Sequence, residues 1–535
     1  MRKHVIRVLS LLLSLSLMIP GPARAEGLLS LFGSLFSESD TPEVATVPYS
    51  EMEYARPDLD QLQVLLDQVC SLAQEKKASS ILDAVFEFYD AYDWFVTASA
   101  LANIRYSADL TDSYWQEEND FCTAASPAVQ QMLDEMYTAL ASSPCRRRLE
   151  LEFFGSGFFD GYGEQPSWDD GLVALMEQEN QLISQYYAQC RKMTSLLGQM
   201  FFRPDEVAQT LAELITVRNQ MAEYAGYDSY EAFANDFYYY RDYTPAEMAA
   251  YLDGIRSSLV PIYLAAWESA PESEEGEVSQ ALDFVRTAAQ AMGGTIQDAF
   301  TLMEEGGLYD IEPGAHKYDS SFEIYLPSYQ EPFLFLNPAG MDYDCLTLAH
   351  EFGHFCNDYA SSGSMVGVDV SEIFSQGFEY LALCYHPEAQ DLIRYKMVDS
   401  LSTYVEQACY ARFEQEMYLL SAPTADALCQ LYSRVCEEYG LADEYFSPWD
   451  FVTISHLYTN PMYVSSYIIS NDAALQLYQL ECDTPGRGLA LYQKSLDTQQ
   501  PYFLAFLEEA GLESPFAPGR LDQVTETFRQ FFSAA

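Results

Sequence analysis

The run His350-Glu351-Phe352-Gly353-His354 has the residue types and the spacing of half a zinc peptidase site. Two histidines at i and i+4 lie about 40° apart around a helix of 3.6 residues per turn, so both rings can reach one ion. Glu351 follows the first of them, where its carboxylate can touch a metal-bound water without ligating the metal. The 535 residues contain only six histidines: His4, His316, His350, His354, His386 and His456. Two of the six at this spacing around a glutamate outweigh the blander reading, a buried helix with two hydrogen-bonded core histidines.

A catalytic zinc takes three protein ligands and keeps one position open. The segment Ser371-Glu372-Ile373-Phe374-Ser375-Gln376-Gly377-Phe378-Glu379-Tyr380 reads as the next helix, reached through a turn at Ser361-Ser362-Gly363-Ser364. Glu372 is placed to ligate, and Glu379, seven residues on, shares its helix face and can hydrogen-bond a ligand histidine from behind. Further on, Ile454-Ser455-His456-Leu457-Tyr458 and Pro461-Met462-Tyr463-Val464-Ser465-Ser466-Tyr467 bring an imidazole and phenols. Such groups can donate to the oxyanion that grows on an attacked carbonyl. Tyrosine alone says little, because the chain has 40 and most must serve packing.

These residues need elements to hold them. For the motif helix, Asp342 is the expected N-cap and Asp344 a first-turn acid favoured by the helix dipole. Cys345, Leu348, Phe352 and Phe355 form one apolar stripe along it. Just upstream, Phe322–Leu326 and Pro332–Leu336 are short, aromatic and separated by Pro327-Ser328-Tyr329-Gln330, which predicts a hairpin beside the site. An edge strand there could pair with an extended peptide. Helical periodicity runs through Asp60–Leu72, Ile81–Ala98, Val173–Met200 and Glu206–Tyr224. Glu268–Glu277 (ESAPESEEGE) reads as an acidic surface loop open to proteolysis.

The first 25 residues have the form of an export signal: Arg2, Lys3 and Arg7, an apolar stretch from Val8 to Pro20, and small-residue cleavage at Ala23-Arg24-Ala25. Cleavage near Ala25 implies a secreted or extracytoplasmic protein. The apolar stretch is too short for a typical span, so no stable membrane insertion is expected. Loss of Arg2, Lys3, Arg7 and Arg24 moves the formal charge from −54 to −58. Such acidity keeps the protein soluble and repels nucleic acid and anionic lipid. Gly27–Phe36 is briefly amphipathic but lacks basic residues, and 26–48 reads as a linker. Regions 49–200 and 201–535 follow as an N-terminal helical region and a catalytic region. Eleven cysteines include no CxxC pair, so a structural zinc ribbon is not indicated and most are expected as buried thiols, Cys356 included.

HEFGH, EIFSQGFEYL and SHLYTNPMYVSSY, in that order, resemble the oligoendopeptidase F and thimet oligopeptidase family of zinc metallopeptidases. Weaker echoes are Met52-Glu53-Tyr54-Ala55-Arg56-Pro57-Asp58, Arg218-Asn219 with Ala222 and Gly226-Tyr227, and Arg241-Asp242-Tyr243-Thr244. The resemblance implies a mainly α, zincin-like helical clamshell with a deep substrate channel. One zinc (Zn2+) per chain would be held by His350, His354 and Glu372, with Glu351 as general base. His456, Tyr463 and Tyr467 would contact substrate and stabilise the oxyanion, with Tyr458 a further candidate and Tyr467 favoured as donor for its place deeper in its helix. The implied function is hydrolysis of short oligopeptides by zinc-activated water. The alternative is a catalytically silent secreted peptide-binding protein of the same fold, against which an intact Glu351 argues. In a third reading the zinc peptidase draws its glutamate ligand from another position.

Overall fold

The computed structural model describes residues 47–155, 157–159, 170–190, 202–267, 274–363, 366–387, 389–442 and 446–534. The signal segment, residues 26–46 of the linker, Ser364 and the stretch 191–200 of an expected helix lie outside these. Helices dominate, and most expected ones extend past their predicted limits: Leu59–Ala73, Ala78–Ala108, Asp170–Cys190 and Pro204–Tyr224. Local chemistry sets many starts. Asp58 accepts from the Gln61 N–H, Asp112 from Tyr114 and Trp115, and Thr244 forms a capping box with Glu247 ahead of Pro245–Ser258.

Two apolar clusters result. Leu62, Leu66, Val69, Ile81, Phe88 and Leu133 belong to the smaller one, built from Leu59–Ala73, Ala78–Ala108 and Ser113–Ala141. The larger includes Leu101 and Ile104, the helix Pro204–Tyr224, the hairpin, the motif helix and buried residues of the helices that follow.

The hairpin forms as expected. Strands β1 (Tyr309–Asp310), β2 (Ser321–Leu326) and β3 (Glu331–Leu336) make one sheet in the order β1-β3-β2. β2 pairs antiparallel with β3, Phe322 opposite Phe335 and Ile324 opposite Phe333. β3 is buried throughout, whereas Glu323, Ile324 and Tyr325 of edge strand β2 are half-exposed. β1, parallel to β3, is two residues long and too short to carry a sequence signal.

Two expectations need correction. Asp342 is not the cap: the motif helix runs Asp344–Ser361 with Tyr343 at its N-cap, and Asp344 instead accepts the backbone N–H groups of Ala339, Gly340 and Met341. Where described, the acidic loop lies on the surface as expected, with Glu274, Glu275 and Glu277 exposed, and Gly276 and Asp342 donate backbone hydrogen bonds to the Gly340 and Glu274 carbonyls. Residues 268–273 of that loop lie outside the described ones. Among the cysteines, Cys122, Cys356, Cys409 and Cys436 are buried, but Cys384 and Cys482 are exposed.

Candidate metal centre

The motif helix crosses the helix Val368–Tyr385 at Gly353, and the contact explains that glycine. A Cβ there would lie 2.4 Å from the Phe374 carbonyl oxygen and 2.6 Å from Ser375 Cα, so any side chain would drive the two backbones apart. The close crossing sets Glu372 against both motif histidines. His350 Nε2 lies 3.4 Å and His354 Nε2 3.8 Å from Glu372 Oε2. One donor atom from each of the three residues falls within 4.8 Å of the others, the single such group among the described residues. All three side chains are buried.

A metal fits this set. The Nε2 of His350 is buried without a hydrogen-bond partner, which costs free energy unless something accepts its lone pair. The opposite nitrogens are spoken for: His350 Nδ1 is 2.8 Å from Glu379 Oε1, and His354 Nδ1 is 2.9 Å from Ser371 Oγ. In the neutral imidazoles, with Nδ1–H donating outward, both Nε2 lone pairs point inward, the arrangement that orients metal-ligating histidines. Ser375 Oγ donates to Glu372 Oε2 at 2.9 Å, and Lys396 Nζ donates to Glu379 Oε2 at 2.6 Å.

Electrostatics separate the two histidines. Burial disfavours a charge on His350, yet the flanking Glu372 and Glu379 carboxylates outweigh it and hold its pKa up to about 10. The same negative potential favours a bound cation. His354, with only a hydroxyl on Nδ1, follows burial down to about 4. Burial would raise Glu372, but His350, His354 and Tyr463 together hold it at about 2. Glu351 is fully buried, and neither carboxylate oxygen has a hydrogen-bond partner. Burial lifts it to about 7, opposed in part by His350.

The downstream residues close over this group. The Tyr463 hydroxyl donates to Glu372 Oε1 at 2.7 Å, while the Tyr467 hydroxyl lies 3.3 Å from His456 Nε2. The three rings pack together, with Tyr463 5.3 Å from both His456 and Tyr467 between centroids. Tyr458 stands apart: its ring stacks on Tyr186 at 3.9 Å and its hydroxyl bonds the Val207 carbonyl at 3.4 Å, so it packs the core. Fully buried Arg218 bonds the Leu457 carbonyl at 2.8 Å and the Tyr458 carbonyl at 2.5 Å, holding the short helix Ser455–Thr459 that carries His456.

Residues 49–162 match the family described as Peptidase M3 N-terminal domain. No curated protein sequence matches the chain. Among solved structures, a protein designated oligoendopeptidase F aligns with TM-score 0.80 at 20% identity, covering 91% of this chain and 99% of that one. PZ peptidase A with an inhibitor gives 0.79 at 20% identity and the same coverages. A protein designated oligoendopeptidase F from Bacillus anthracis gives 0.76 at 20%, covering 91% and 98%. The chain has the oligoendopeptidase F fold. It is a mainly helical clamshell with a small sheet beside the motif helix, as the motif resemblance implied. The N-terminal match and these neighbours support a peptidase.

Sequence reading missed Ser371, Ser375 and Lys396. Lys396 left no signal, because its contact with Glu379 joins two different helices. The serines left none, because only the helix crossing makes them neighbours of the ligands.

Proposed function

We propose that the protein is an exported zinc-dependent endopeptidase that hydrolyses short oligopeptides. The observation that carries the reading is the convergence of His350, His354 and Glu372 beside a buried, unbonded Glu351. His350, His354 and Glu372 would hold the zinc. When bound, zinc supplies Lewis-acid polarisation of a water and of the scissile carbonyl.

The chain's own groups do the rest. Glu351, with a pKa of about 7, takes the water's proton at a free carboxylate oxygen and returns it to the leaving amine. Tyr463 turns its hydroxyl from Glu372 to the developing oxyanion, and His456 with Tyr467 lines the same side. We rank Tyr463 ahead of Tyr467 as donor, the reverse of the sequence reading, because its hydroxyl reaches the Glu372 carboxylate at 2.7 Å. Lys396 neutralises Glu379, which fixes the His350 ring. Edge strand β2 offers an unpaired margin to an extended peptide. The proposal of export rests on the signal-like sequence of residues 1–25 alone.

The test is mass spectrometry of a peptide mixture digested with and without a chelator. Chelator-sensitive internal cleavage is expected. An intact mixture despite bound zinc would favour the silent peptide binder instead.

A further inference from the structure

The turn that presents Tyr463 is held in a conformation its own sequence disfavours. Met462 has φ of +68°, the left-handed region in which a Cβ is crowded by the backbone. Proline has no N–H, so Pro461-Met462 offers three backbone polar groups. Each is bonded by a side chain from a distant segment. The Pro461 carbonyl accepts from the Tyr239 hydroxyl at 2.7 Å. The Met462 N–H donates to Glu414 Oε1 at 2.8 Å, and the Met462 carbonyl accepts from Arg241 Nη2 at 2.9 Å. Tyr240, between the first and last of these side chains, is itself left-handed at φ +50°.

The same guanidinium reaches the helix that carries Glu372. Arg241 Nε lies 3.2 Å from Asp369 Oδ2, and both side chains are 2% exposed. Asp369, three residues before Glu372, also accepts from the Tyr243 hydroxyl at 2.9 Å and from Ser466 Oγ at 2.5 Å. Arg241 thus ties the tyrosine turn to the ligand helix, and Glu414 pins the turn from the long helix Gln390–Met417. Strained backbone persists only where its surroundings over-determine it, and it gathers at functional sites.

We propose that Arg241 and Glu414 are positioning residues for Tyr463, holding Met462 left-handed so that the phenol faces the reacting carbonyl. The proposal rests on the peptidase reading. Released from the clamp, Met462 relaxes to negative φ and swings the next residue, moving a hydroxyl whose present reach to Glu372 is 2.7 Å. A misplacement of about 1 Å can cost roughly 10²-fold in rate.

The test is a set of variants assayed for kcat, KM and bound zinc on a cleavable peptide. Glu414→Leu removes the acceptor and should lower kcat about 10–100-fold, with KM and zinc nearly unchanged. Glu414→Gln keeps a carbonyl acceptor and should stay within roughly threefold of the parent. Adding Met462→Gly to Glu414→Leu should restore part of kcat, because glycine takes positive φ unaided. In a Tyr463→Phe background, Glu414→Leu should cost little more, since the clamp acts through that hydroxyl. Additive losses in this cycle overturn the proposal, as does full kcat in Glu414→Leu or in Tyr463→Phe. Arg241→Met leaves Asp369 buried without its cation, so if it fails to fold the Glu414 set decides. Absence of cleavage by the parent protein would sink the peptidase reading itself, a separate outcome.

Discussion

Tyr463→Phe removes one oxygen from the centre of the site and leaves the packing of a ring that is 1% exposed. Its hydroxyl now donates to the Glu372 carboxylate at 2.7 Å, a charge-assisted bond worth about 1.5–3 kcal/mol. To serve the oxyanion, the phenol must give up that bond as it forms the new one. A primary oxyanion donor typically contributes about 2.7–4 kcal/mol, or 10²–10³ in kcat. The ground-state bond reduces the net gain, so the expected loss is at the lower end, roughly 10²-fold. A second effect must be kept apart. Without the hydroxyl, Glu372 loses an orienting donor, which typically costs about 10–100-fold in metal affinity. The assay is therefore kcat at saturating zinc, with bound metal measured on the same sample. A fall in kcat at full occupancy supports the donor role. Unchanged kcat with weakened zinc would mean that Tyr463 only orients the ligand, and the oxyanion role would pass to His456 and Tyr467.

Four further outcomes are expected. His350→Ala, His354→Ala and Glu372→Ala should each abolish stoichiometric zinc, while Glu379→Ala, which only frees the His350 ring, should weaken it about 10–100-fold; full zinc in Glu372→Ala would reassign the third ligand. Burial holds the Glu414 carboxyl up to about 8 from an ordinary 4.5, so between those values the folded state binds a proton that the unfolded chain has lost, and stability should fall as pH rises. Thermal melts across that range should show the fall flattened in Glu414→Gln, and parallel curves would refute the assignment. Because His350, Glu351 and Glu372 are each at most 1% exposed, unstructured peptides should be cut and stably folded proteins spared; rapid degradation of a folded protein would point to an open cleft. Gly353→Ala should destabilise the fold and lower zinc together, by forcing apart the helices that bring Glu372 to the histidines; a melt and metal content equal to the parent's would show that the crossing tolerates the methyl.

The parts of the site legible in sequence are those set by spacing along one helix. His350, Glu351 and His354 share a helix face by periodicity alone, and Glu379 follows Glu372 by two turns. The hairpin was equally plain, because Pro327–Gln330 separates two runs of aromatic and aliphatic residues. What stayed hidden depends on contacts between distant segments. Arg241-Asp242-Tyr243 stood out as a motif, but its pairing with Asp369 and Met462 spans more than a hundred residues and has no local pattern. The contact of the Tyr463 hydroxyl with Glu372 joins residues 91 apart, and the positive φ of Met462 before it is one no propensity scale anticipates. Asp342 was a sound cap by residue type; Asp344 took the loop N–H groups because the chain enters the helix one residue later. Tyr458 shares a short helix with His456, but its ring faces Tyr186, a choice of side made by packing.

The central claim is that Glu351 is the base of a zinc-dependent hydrolysis. Glu351→Gln tests it most directly, with zinc content and turnover of an internally quenched peptide measured on one preparation. The amide keeps the shape of the side chain but cannot take a proton from water. The account predicts zinc at the parental level, near one per chain, and kcat lower by about 10²–10⁴-fold. Cleavage at close to the parental rate would contradict it.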